Sequence, residues 1–305
     1  MDKMDSHTDI LRPLSEDEFE ELLQLYREKY GEENFHYLLM YNQNKWNEQL
    51  RNLNYEAKEG EADEWISFRK VFYTYRDGDF RTYGTYVSLH YDIMQSVSFH
   101  SWEPNQSDLL KCLRETKLID WCGGPLLTNV DLEICEEVKK IALAKGTSVQ
   151  RARLCLFLIL DHDKAAVLDV EQVKSGYTVK KLNTENAALI HELWPNKKEG
   201  SLPYVLGLIE LNHTVGIFRD DNDELVAWAF QNDFSGLGIL QVLPTEQRKG
   251  FGALLAATLC KQVAVVEKVH LNAWIVSENF KSKALLEKIG FRPKAKAEWI
   301  QLNKV

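Results

Sequence analysis

Val-Leu-Pro-Thr-Glu-Gln-Arg-Lys-Gly-Phe-Gly, residues 242–252, decides the fold of this chain of 305 residues. An apolar strand ends at a proline, a polar turn with two glycines follows, and an alanine- and leucine-rich helix then begins. The first turn of a helix has backbone N–H groups without intrahelical partners, so it attracts anions. Gly250 and Gly252 lack side chains and let a phosphate approach the main chain. The stretch predicts a phosphate-binding turn, although an ordinary strand-to-helix turn also uses glycine.

Two well-known phosphate loops do not fit this turn, because it lacks both Gly-Lys-Ser/Thr and the three-glycine dinucleotide spacing. It matches Val-x-Pro-x-x-Gln/Arg-x-x-Gly-x-Gly/Ala at every defined position. In this it resembles the acyl-CoA pyrophosphate loop of the GNAT superfamily of N-acyltransferases. A second block, Asn-Phe-Lys-Ser-Lys-Ala-Leu-Leu-Glu-Lys-Ile-Gly-Phe at 279–291, resembles the helix that flanks the other side of CoA in that superfamily.

The order of predicted elements extends this resemblance beyond the two blocks. Residues 177–305 read β-α-α-β-β-β-α-β-α-β-β, which is similar to the GNAT arrangement, and they end in two short strands from Phe291 and from Trp299. The N-terminal half reads as helices and strands that include a strand at 35–41. We interpret it as a degenerate copy. We therefore predict an α/β (α+β) fold with a mixed sheet, built as tandem GNAT-like domains at 1–165 and 166–305.

Other short patterns resemble a narrower family. Leu-Ile-Asp-Trp at 118–121, His-Glu-Leu-Trp at 191–194 and Val-Ala-Trp at 226–228 are similar to the glycine N-acyltransferase-like family, including its insect branch. The resemblance implies acyl transfer from acetyl-CoA or a longer or aromatic acyl-CoA to a small amine such as glycine. A protein or polyamine acceptor is one alternative. A catalytically inert CoA-binding module that acts as an interaction protein is another.

Composition narrows the classes of partner. The chain has 45% hydrophobic residues and a net charge of −9, which speaks against a nucleic-acid surface. From Leu240 onward, however, the chain has 11 Lys and Arg but only 5 Asp and Glu. This local positive charge suits the binding of one small polyanion. The longest apolar run has seven residues, too few to span a membrane. Five cysteines without a Cys-x-x-Cys pair indicate a reduced intracellular protein, cytoplasmic or mitochondrial. The oligomeric state stays open.

The GNAT resemblance implies which residues hold the cosubstrate. The strand before the loop would pair with the pantetheine arm, and one of its N–H groups would polarise the thioester. The loop main chain would take the pyrophosphate, and the second block would bind from the opposite side. The residues implied are Gln241, Val242, Leu243, Gln247, Arg248, Lys249, Gly250, Phe251, Gly252, Asn279 and Lys281.

The sequence departs from the superfamily where proton transfer is expected. Leu286 stands where many members carry a tyrosine acid, and Gly236 stands where glycine N-acyltransferases carry a glutamate. Ser282 as acid and Asp233 as base are the weak substitutes, and His270 is another candidate base. The aromatic side chains Trp228, Phe234 and Trp274 are predicted to line an acyl or acceptor pocket, unless they only pack the core.

Two rival chemistries have less support. Asp161-His162-Asp163 follows a strand and has metal-binding atoms, but the sequence has no second cluster at ligand spacing, so no metal is predicted. Cys122, in Trp-Cys-Gly-Gly-Pro, is a conceivable nucleophile without a neighbouring activating group in the sequence.

Overall fold

The computed structural model describes residues 9–52, 69–90 and 95–305. Contacts divide the chain into two compact units, the first formed by Met1–His36, Ser67–Cys155 and Lys296–Val305 and the second by Tyr37–Ile66 and Leu156–Ala295. The predicted domain boundary between 165 and 166 remains a prediction.

Both units contain helices and strands. Up to residue 166 they are β1 (Leu11–Pro13), α1 (Glu16–Tyr30), α2 (Phe35–Asn52), β2 (Lys70–Tyr75), α3 (Phe80–Tyr83), β3 (Tyr86–His90), β4 (Ser96–His100), α4 (Ser107–Glu115), β5 (Leu126–Val130), α5 (Cys135–Ala144), β6 (Val149–Leu160) and α6 (His162–Ala166). The remainder are β7 (Tyr177–Lys180), α7 (Ala187–Leu193), α8 (Leu202–Leu211), β8 (Thr214–Arg219), β9 (Leu225–Gln231), β10 (Leu237–Val242), α9 (Phe251–Glu267), β11 (Leu271–Val276), α10 (Phe280–Ile289) and β12 (Arg292–Leu302).

The first unit is built on a mixed sheet. Its strands lie in the order β1-β2-β3-β4-β5-β12-β6. The pairs from β1 to β4 are antiparallel, and β4 and β5 are parallel. Helices α4 and α5 contribute Leu109, Leu113 and Val138 to a buried core with the sheet residues Val97 and Leu127.

The second unit contains the sheet that carries the glycine turn. Strands β7, β8, β9 and β10 form an antiparallel sheet, and β6 lies beside β11. Helix α9 lies against β8, β9 and β10 and buries Leu255, Leu259 and Val263 in one apolar core. These three residues recur at helical spacing, as the sequence predicted.

Two sequence-based assignments are wrong. Residues 35–41, predicted as a strand, begin the helix α2, because the buried side chains continue at helical spacing through Leu38, Asn42 and Trp46. The two predicted C-terminal strands are one strand, β12, with a register shift between Glu298 and Ile300 in its pairing to β5.

Among the described residues, no helix combines the length and apolar character needed to cross a bilayer.

Candidate active site

A gap beside β10 is the main feature of the second unit. Strand β10 pairs with β9 on one side, and a register shift between Gly238 and Gln241 marks a bulge, with Ile239 in the left-handed region at φ 46°. On the other side, within the described ranges, one parallel bridge between Gly236 and Asn272 joins it to β11. A bulge bends its strand, and an unpaired edge exposes main-chain groups. The C-terminal half of β10 can therefore accept an extended ligand as an added strand.

The main-chain directions along β10 single out Val242. The N–H of Leu243 donates to the carbonyl of Val226 in β9 at 2.9 Å, and its carbonyl accepts from the N–H of Glu246 at 2.9 Å. Because successive residues of a strand point their polar groups to opposite sides, the N–H of Val242 faces the gap. Both main-chain polar groups of Leu243 are thus already hydrogen-bonded, so this residue cannot pair with pantetheine as predicted. The main-chain N–H and C=O of Gln241 point toward β9.

The glycine turn forms an anion-binding concavity at the start of α9. Arg248 and Gly250 both have left-handed φ angles, 64° and 89°, on either side of Lys249. Successive N–H groups in such a turn converge on one point. Gly250 is the N-cap of α9, no side chain caps the helix, and open space surrounds its Cα. The first-turn N–H groups therefore have no side-chain acceptor and face open space, which is the arrangement that an anion site requires.

Gly252 brings three predicted elements together. A Cβ on this residue would lie 3.9 Å from Val242 Cγ2 of β10 and 3.9 Å from Leu285 Cδ2 of α10. The end of the edge strand, the start of α9 and the second sequence block therefore meet at one place, as expected for the two sides of one ligand.

A buried carboxylate holds the turn in shape. Glu246 is 1% exposed and accepts hydrogen bonds from Lys249 Nζ at 2.7 Å, Tyr177 Oη at 2.7 Å and Arg219 Nη2 at 2.5 Å. The hydrogen bonds from Lys249 and Tyr177 lower the pKa of Glu246 to about 2. Lys249 also donates to Tyr177 Oη at 2.8 Å. The Lys249 side chain, predicted to reach phosphate, is thus used to fix the turn.

The remaining loop side chains are less constrained. Gln247 is exposed, and its Nε2 is 3.4 Å from the carbonyl oxygen of Val242. Arg248 is exposed beside the turn. Phe251 is 2% exposed and packs its ring edge-on against Tyr177 at 4.8 Å, so only its main chain can serve a ligand.

Helix α10 presents its N-terminus through a side-chain cap. Asn279 Oδ1 accepts the N–H of Ser282 at 3.1 Å, which leaves its amide nitrogen as the atom that can donate outward. Lys281 is exposed, whereas Lys283 lies 3.8 Å from Glu287. Leu286, at the place of the superfamily tyrosine, is 4% exposed and belongs to the core.

Position 236 has no room for a side chain. A Cβ there would be 2.5 Å from Asn272 Oδ1 and 3.0 Å from the carbonyl oxygen of Asn272. Because the bridge between the two strands forms at this residue, glycine is required by the close approach. A glutamate at position 236 would therefore require Asn272 to move.

The two candidate catalytic residues lie toward opposite ends of β10. Asp233 is in the β9–β10 turn and accepts a hydrogen bond from Tyr204 Oη at 2.9 Å. Ser282 is in the first turn of α10, one helical turn from Leu285, which meets Gly252. Six strand residues span roughly 20 Å at about 3.3 Å each, so these two side chains are not within hydrogen-bond reach of each other.

The predicted pocket aromatics differ in their accessibility. Trp228 is fully buried in β9 opposite Gln241, and its Nε1 has no acceptor among the residues that the structure describes. Phe234 is half-buried in the β9–β10 turn, and its carbonyl accepts from Asn272 Nδ2 at 2.7 Å. Trp274 is half-buried and packs against Phe157 at 5.0 Å. Their role in a pocket remains a prediction.

The candidate metal-binding residues and the candidate base His270 make contacts with other protein groups. Asp161 pairs with Lys164 at 2.7 Å and with Arg292 at 3.1 Å. His270 Nδ1 accepts the N–H of His162 at 3.2 Å. Across the described ranges, no group of three or more His, Cys, Asp or Glu is arranged to hold a metal ion.

Cys122 is an exposed thiol in the first unit. Its Sγ lies 3.8 Å from the carbonyl oxygen of Lys145. Among the described residues, this carbonyl oxygen is the hydrogen-bond partner of the sulfur and no base contacts it, so the nucleophile hypothesis gains no support.

Sequence reasoning missed several residues that fix the shape of the site. Glu246 reads as a solvated turn residue and Tyr177 as an ordinary strand residue, although they fix the glycine turn. Tyr204 and Trp194 belong to the α7–α8 region, and their stacked rings lie 5.7 Å apart. The sequence singled out Trp194 only as part of the His-Glu-Leu-Trp pattern, and it gave no sign that Trp194 and Tyr204 stack.

Family models and solved structures agree with this architecture. Residues 10–141 match a domain of unknown function, DUF5645, and residues 214–300 match the FR47-like protein family. Among curated proteins, none matches the chain. A Drosophila protein solved by structural genomics is 49% identical, with 97% of this chain and 99% of that chain covered and a TM-score of 0.93.

Two more distant structures show the same fold over nearly the whole chain. A tandem GNAT protein from the clavulanic acid biosynthesis pathway gives a TM-score of 0.52 at 11% identity, with 96% of this chain and 97% of that chain covered. A fungal GCN5-related glucosamine N-acetyltransferase region gives 0.52 at 12% identity, with 96% of this chain and 38% of that chain covered. The predicted α/β fold of tandem GNAT-like halves is thereby confirmed. The chain belongs to the family of the Drosophila protein, and it has the fold of tandem GNAT proteins.

Proposed function

We propose that this protein transfers an acyl group from acyl-CoA to the amine of a small acceptor, by direct attack in a ternary complex. The observation that carries the proposal is the uncapped N-terminus of α9 beside the open edge of β10. A glycine-rich helix start and an edge strand together match the two ends of CoA, an anionic diphosphate and an amide-containing arm.

The chain supplies binding and orientation. The N–H groups from Gly250 onward would take the diphosphate, and Asn279 Nδ2 would donate from the other side. The N–H of Val242 would pair with the pantetheine arm or polarise the thioester carbonyl. Bound acyl-CoA would supply the activated acyl carbon. Holding that carbon and an amine in line can contribute roughly 7–11 kcal/mol in favourable cases.

Proton transfer needs less from the protein than positioning does. The amine nitrogen bonds to the acyl carbon, the carbon–sulfur bond breaks, one proton leaves the ammonium and the thiolate takes one up. We assign Asp233 to the first proton transfer because it lies at the start of β10. Ser282 is the alternative candidate, as donor to the thiolate, because the roughly 20 Å along β10 prevents both residues from acting directly on one reacting carbon. One acid or base typically contributes about 10²–10⁴-fold, so the missing tyrosine slows such an enzyme without stopping it.

The second candidate is a CoA-binding module without turnover. Two observations favour it: Leu286 is buried at the tyrosine position, and Gly236 has no room for a carboxylate. In this reading CoA stabilises a surface that holds a partner protein.

A turnover assay separates the two candidates. Purified full-length protein is given acetyl-CoA or benzoyl-CoA with a panel of amines that includes glycine, a polyamine and a lysine peptide, and free thiol is measured. The proposal expects amine-dependent thiol release. Tight CoA binding by calorimetry with no thiol release for any amine would establish the inert module instead.

A further inference from the structure

An acidic aromatic corner lies on the α7–α8 side of the second unit. It consists of Trp194, Tyr204 and Asp233. The rings of Trp194 and Tyr204 stack with centroids 5.7 Å apart and planes 17° from parallel. Tyr204 Oη donates to Asp233 Oδ1 at 2.9 Å. All three side chains are partly accessible to solvent, so a ligand can reach them.

A hydrogen bond ties this corner to the edge strand. Gln241 Nε2 of β10 donates to the carbonyl oxygen of Leu193 at 3.0 Å, directly before Trp194. Gln241 is also the cross-strand partner of Trp228, so their side chains lie on the same face of the sheet. Gln241 immediately precedes Val242, whose N–H faces the gap. The corner is thus built next to the strand that would hold the thioester.

The chemistry of the corner suits a cation. A carboxylate oriented by a tyrosine O–H accepts strong hydrogen bonds from an ammonium group. The faces of stacked Trp and Tyr rings carry negative potential and attract a cation or the apolar body beside it. Close by, Asn272 Oδ1 is buried at the β10–β11 bridge without a donor among the described residues. This adds to the negative potential at that end of β10.

We infer that the acidic aromatic corner binds the acceptor, and that the acceptor is an amine whose remaining part is apolar or aromatic and has no carboxylate. An amino acid such as glycine would bring its own carboxylate toward Asp233, and like charges repel. The inference rests on the proposed acyl transfer, since it names the substrate class of that site. It gives Asp233 the binding of the ammonium group in addition to the proton transfer proposed above, and it makes Tyr204 a positioning residue.

Binding of a matched pair of amines tests the inference without turnover. 2-Phenylethylamine and phenylalanine differ only by the carboxylate. Each is titrated into the full chain, with and without saturating CoA, and followed by calorimetry. We expect 2-phenylethylamine to bind at least about tenfold more tightly than phenylalanine. Equal affinities, or tighter binding of phenylalanine or glycine, would overturn the inference.

Variants then place the binding at this corner. Asp233→Asn should weaken 2-phenylethylamine about tenfold or more and leave phenylalanine and CoA almost unchanged. Tyr204→Phe should have a smaller effect in the same direction, because it keeps the ring stack and loses the hydrogen bond to Asp233. The matched control is Glu199→Gln, an exposed carboxylate in the α7–α8 connection, which should change nothing. If Asp233→Asn and the control behave alike, the corner is not the amine site.

Kinetics distinguish failure of this inference from failure of the proposed function. With acetyl-CoA, Tyr204→Phe should raise KM for 2-phenylethylamine more than it lowers kcat. If amines bind as expected but no thiol is ever released, the acyl-transfer proposal fails and the amine site stands. If thiol release is fastest with glycine, acyl transfer stands and the inferred acceptor class is wrong.

Discussion

Gly252 occupies the second helical position of α9, where a Cβ would meet Val242 and Leu285 at an ordinary 3.9 Å. A carboxylate at a helix N-terminus is favourable by itself, typically by about 0.3–1 kcal/mol. The Gly252→Glu variant should therefore fold as well as the wild type, yet its charge would compete with a diphosphate. We expect CoA affinity to fall about a hundredfold or more by calorimetry.

The uncharged Gly252→Gln variant is the matched control for this prediction. It has nearly the same shape, so any loss that both variants share is steric. If Gly252→Glu binds CoA as tightly as Gly252→Gln does, the helix end is not the anion site.

Gly236 gives a second prediction at the same scale. Replacing it with glutamate would force a Cβ to within 2.5 Å of Asn272 Oδ1 and separate the strands at their bridge. Such overpacking costs about 1–3 kcal/mol, to be measured as the loss in unfolding free energy in urea. Gly252→Ala, with ordinary contacts only, should be neutral or stabilising. A stable Gly236→Glu variant with faster turnover would show that this fold does accept a catalytic carboxylate at position 236.

Single residues were predictable from sequence where one motif fixed both type and spacing. Gly250 is at the helix start with the positive φ that glycine tolerates, as the motif indicates. The use of the Lys249 side chain was not predictable, because it depends on Glu246, Tyr177 and Arg219 meeting across the fold. A long-range ion network has no signature in the local sequence.

At the scale of elements, the turn between β10 and α9 depends on one buried carboxylate. Glu246→Gln removes the charge that accepts from Lys249 and Arg219, so the turn should loosen. Loss of such charged hydrogen bonds should raise the CoA dissociation constant about three- to tenfold. Glu224→Gln is the control, since Glu224 lies 3.5 Å from Arg219 but at the surface. If Glu246→Gln binds CoA as tightly as the wild type does, the ion network does not contribute to CoA binding.

The low pKa of Glu246 predicts how the stability of the protein depends on pH. The pKa of Glu246 falls from 4.5 to about 2 on folding, so the folded state favours the ionised form. Its contribution to stability is complete above pH 4.5 and is lost as the pH falls toward 2. The wild type should therefore be more stable than Glu246→Gln at pH 7, and this difference should shrink by pH 3. A difference that stays constant across this range would contradict the ion-network interpretation.

Elements were predictable where hydrophobic spacing was long and clear. Helix α8 and strand β8 have the bounds that the pattern indicates, because caps or turns mark their ends. The strand predicted for residues 35–41 was wrong because a short aromatic run suits a strand as well as a helix. The deciding side chains of α2, Asn42 and Trp46, lie outside that window.

At the scale of the whole molecule, the tandem fold has two GNAT-like halves, so the number of CoA sites per chain has to be derived for each half. In the first unit, α4 follows β4 as α9 follows β10, but Glu103 occupies its N-terminus. The carboxylate accepts from the N–H of Asp108 at 2.9 Å and from Ser107 Oγ at 2.6 Å. His100 and Asp131, at the ends of β4 and β5, lie 3.8 Å apart.

We therefore expect one CoA per chain. An anion-binding helix end that already holds a carboxylate has no free donors for a diphosphate. Calorimetry with CoA should give a stoichiometry near one, and Gly252→Glu should remove that single event. Two equivalent sites per chain would contradict the reading of the first unit as degenerate.

The tandem organisation itself was predictable only in part. The second half carries motifs that identify its fold. The first half has no glycine turn, and its GNAT-like fold was predicted from the order of its elements. Its buried Tyr26, His36 and Tyr86, which pack where the strands β3 and β4 meet the helices α1 and α2, could not be grouped from sequence because they are up to 60 positions apart.

The central claim is that CoA lies with its diphosphate on the start of α9 and its arm along β10. A crystal structure of the full chain with CoA tests this most directly. We predict diphosphate oxygens about 3 Å from the main-chain nitrogens that begin at Gly250, and a pantetheine amide paired with Val242. Density for the diphosphate elsewhere on the chain, or no CoA at saturating concentration, would contradict the claim.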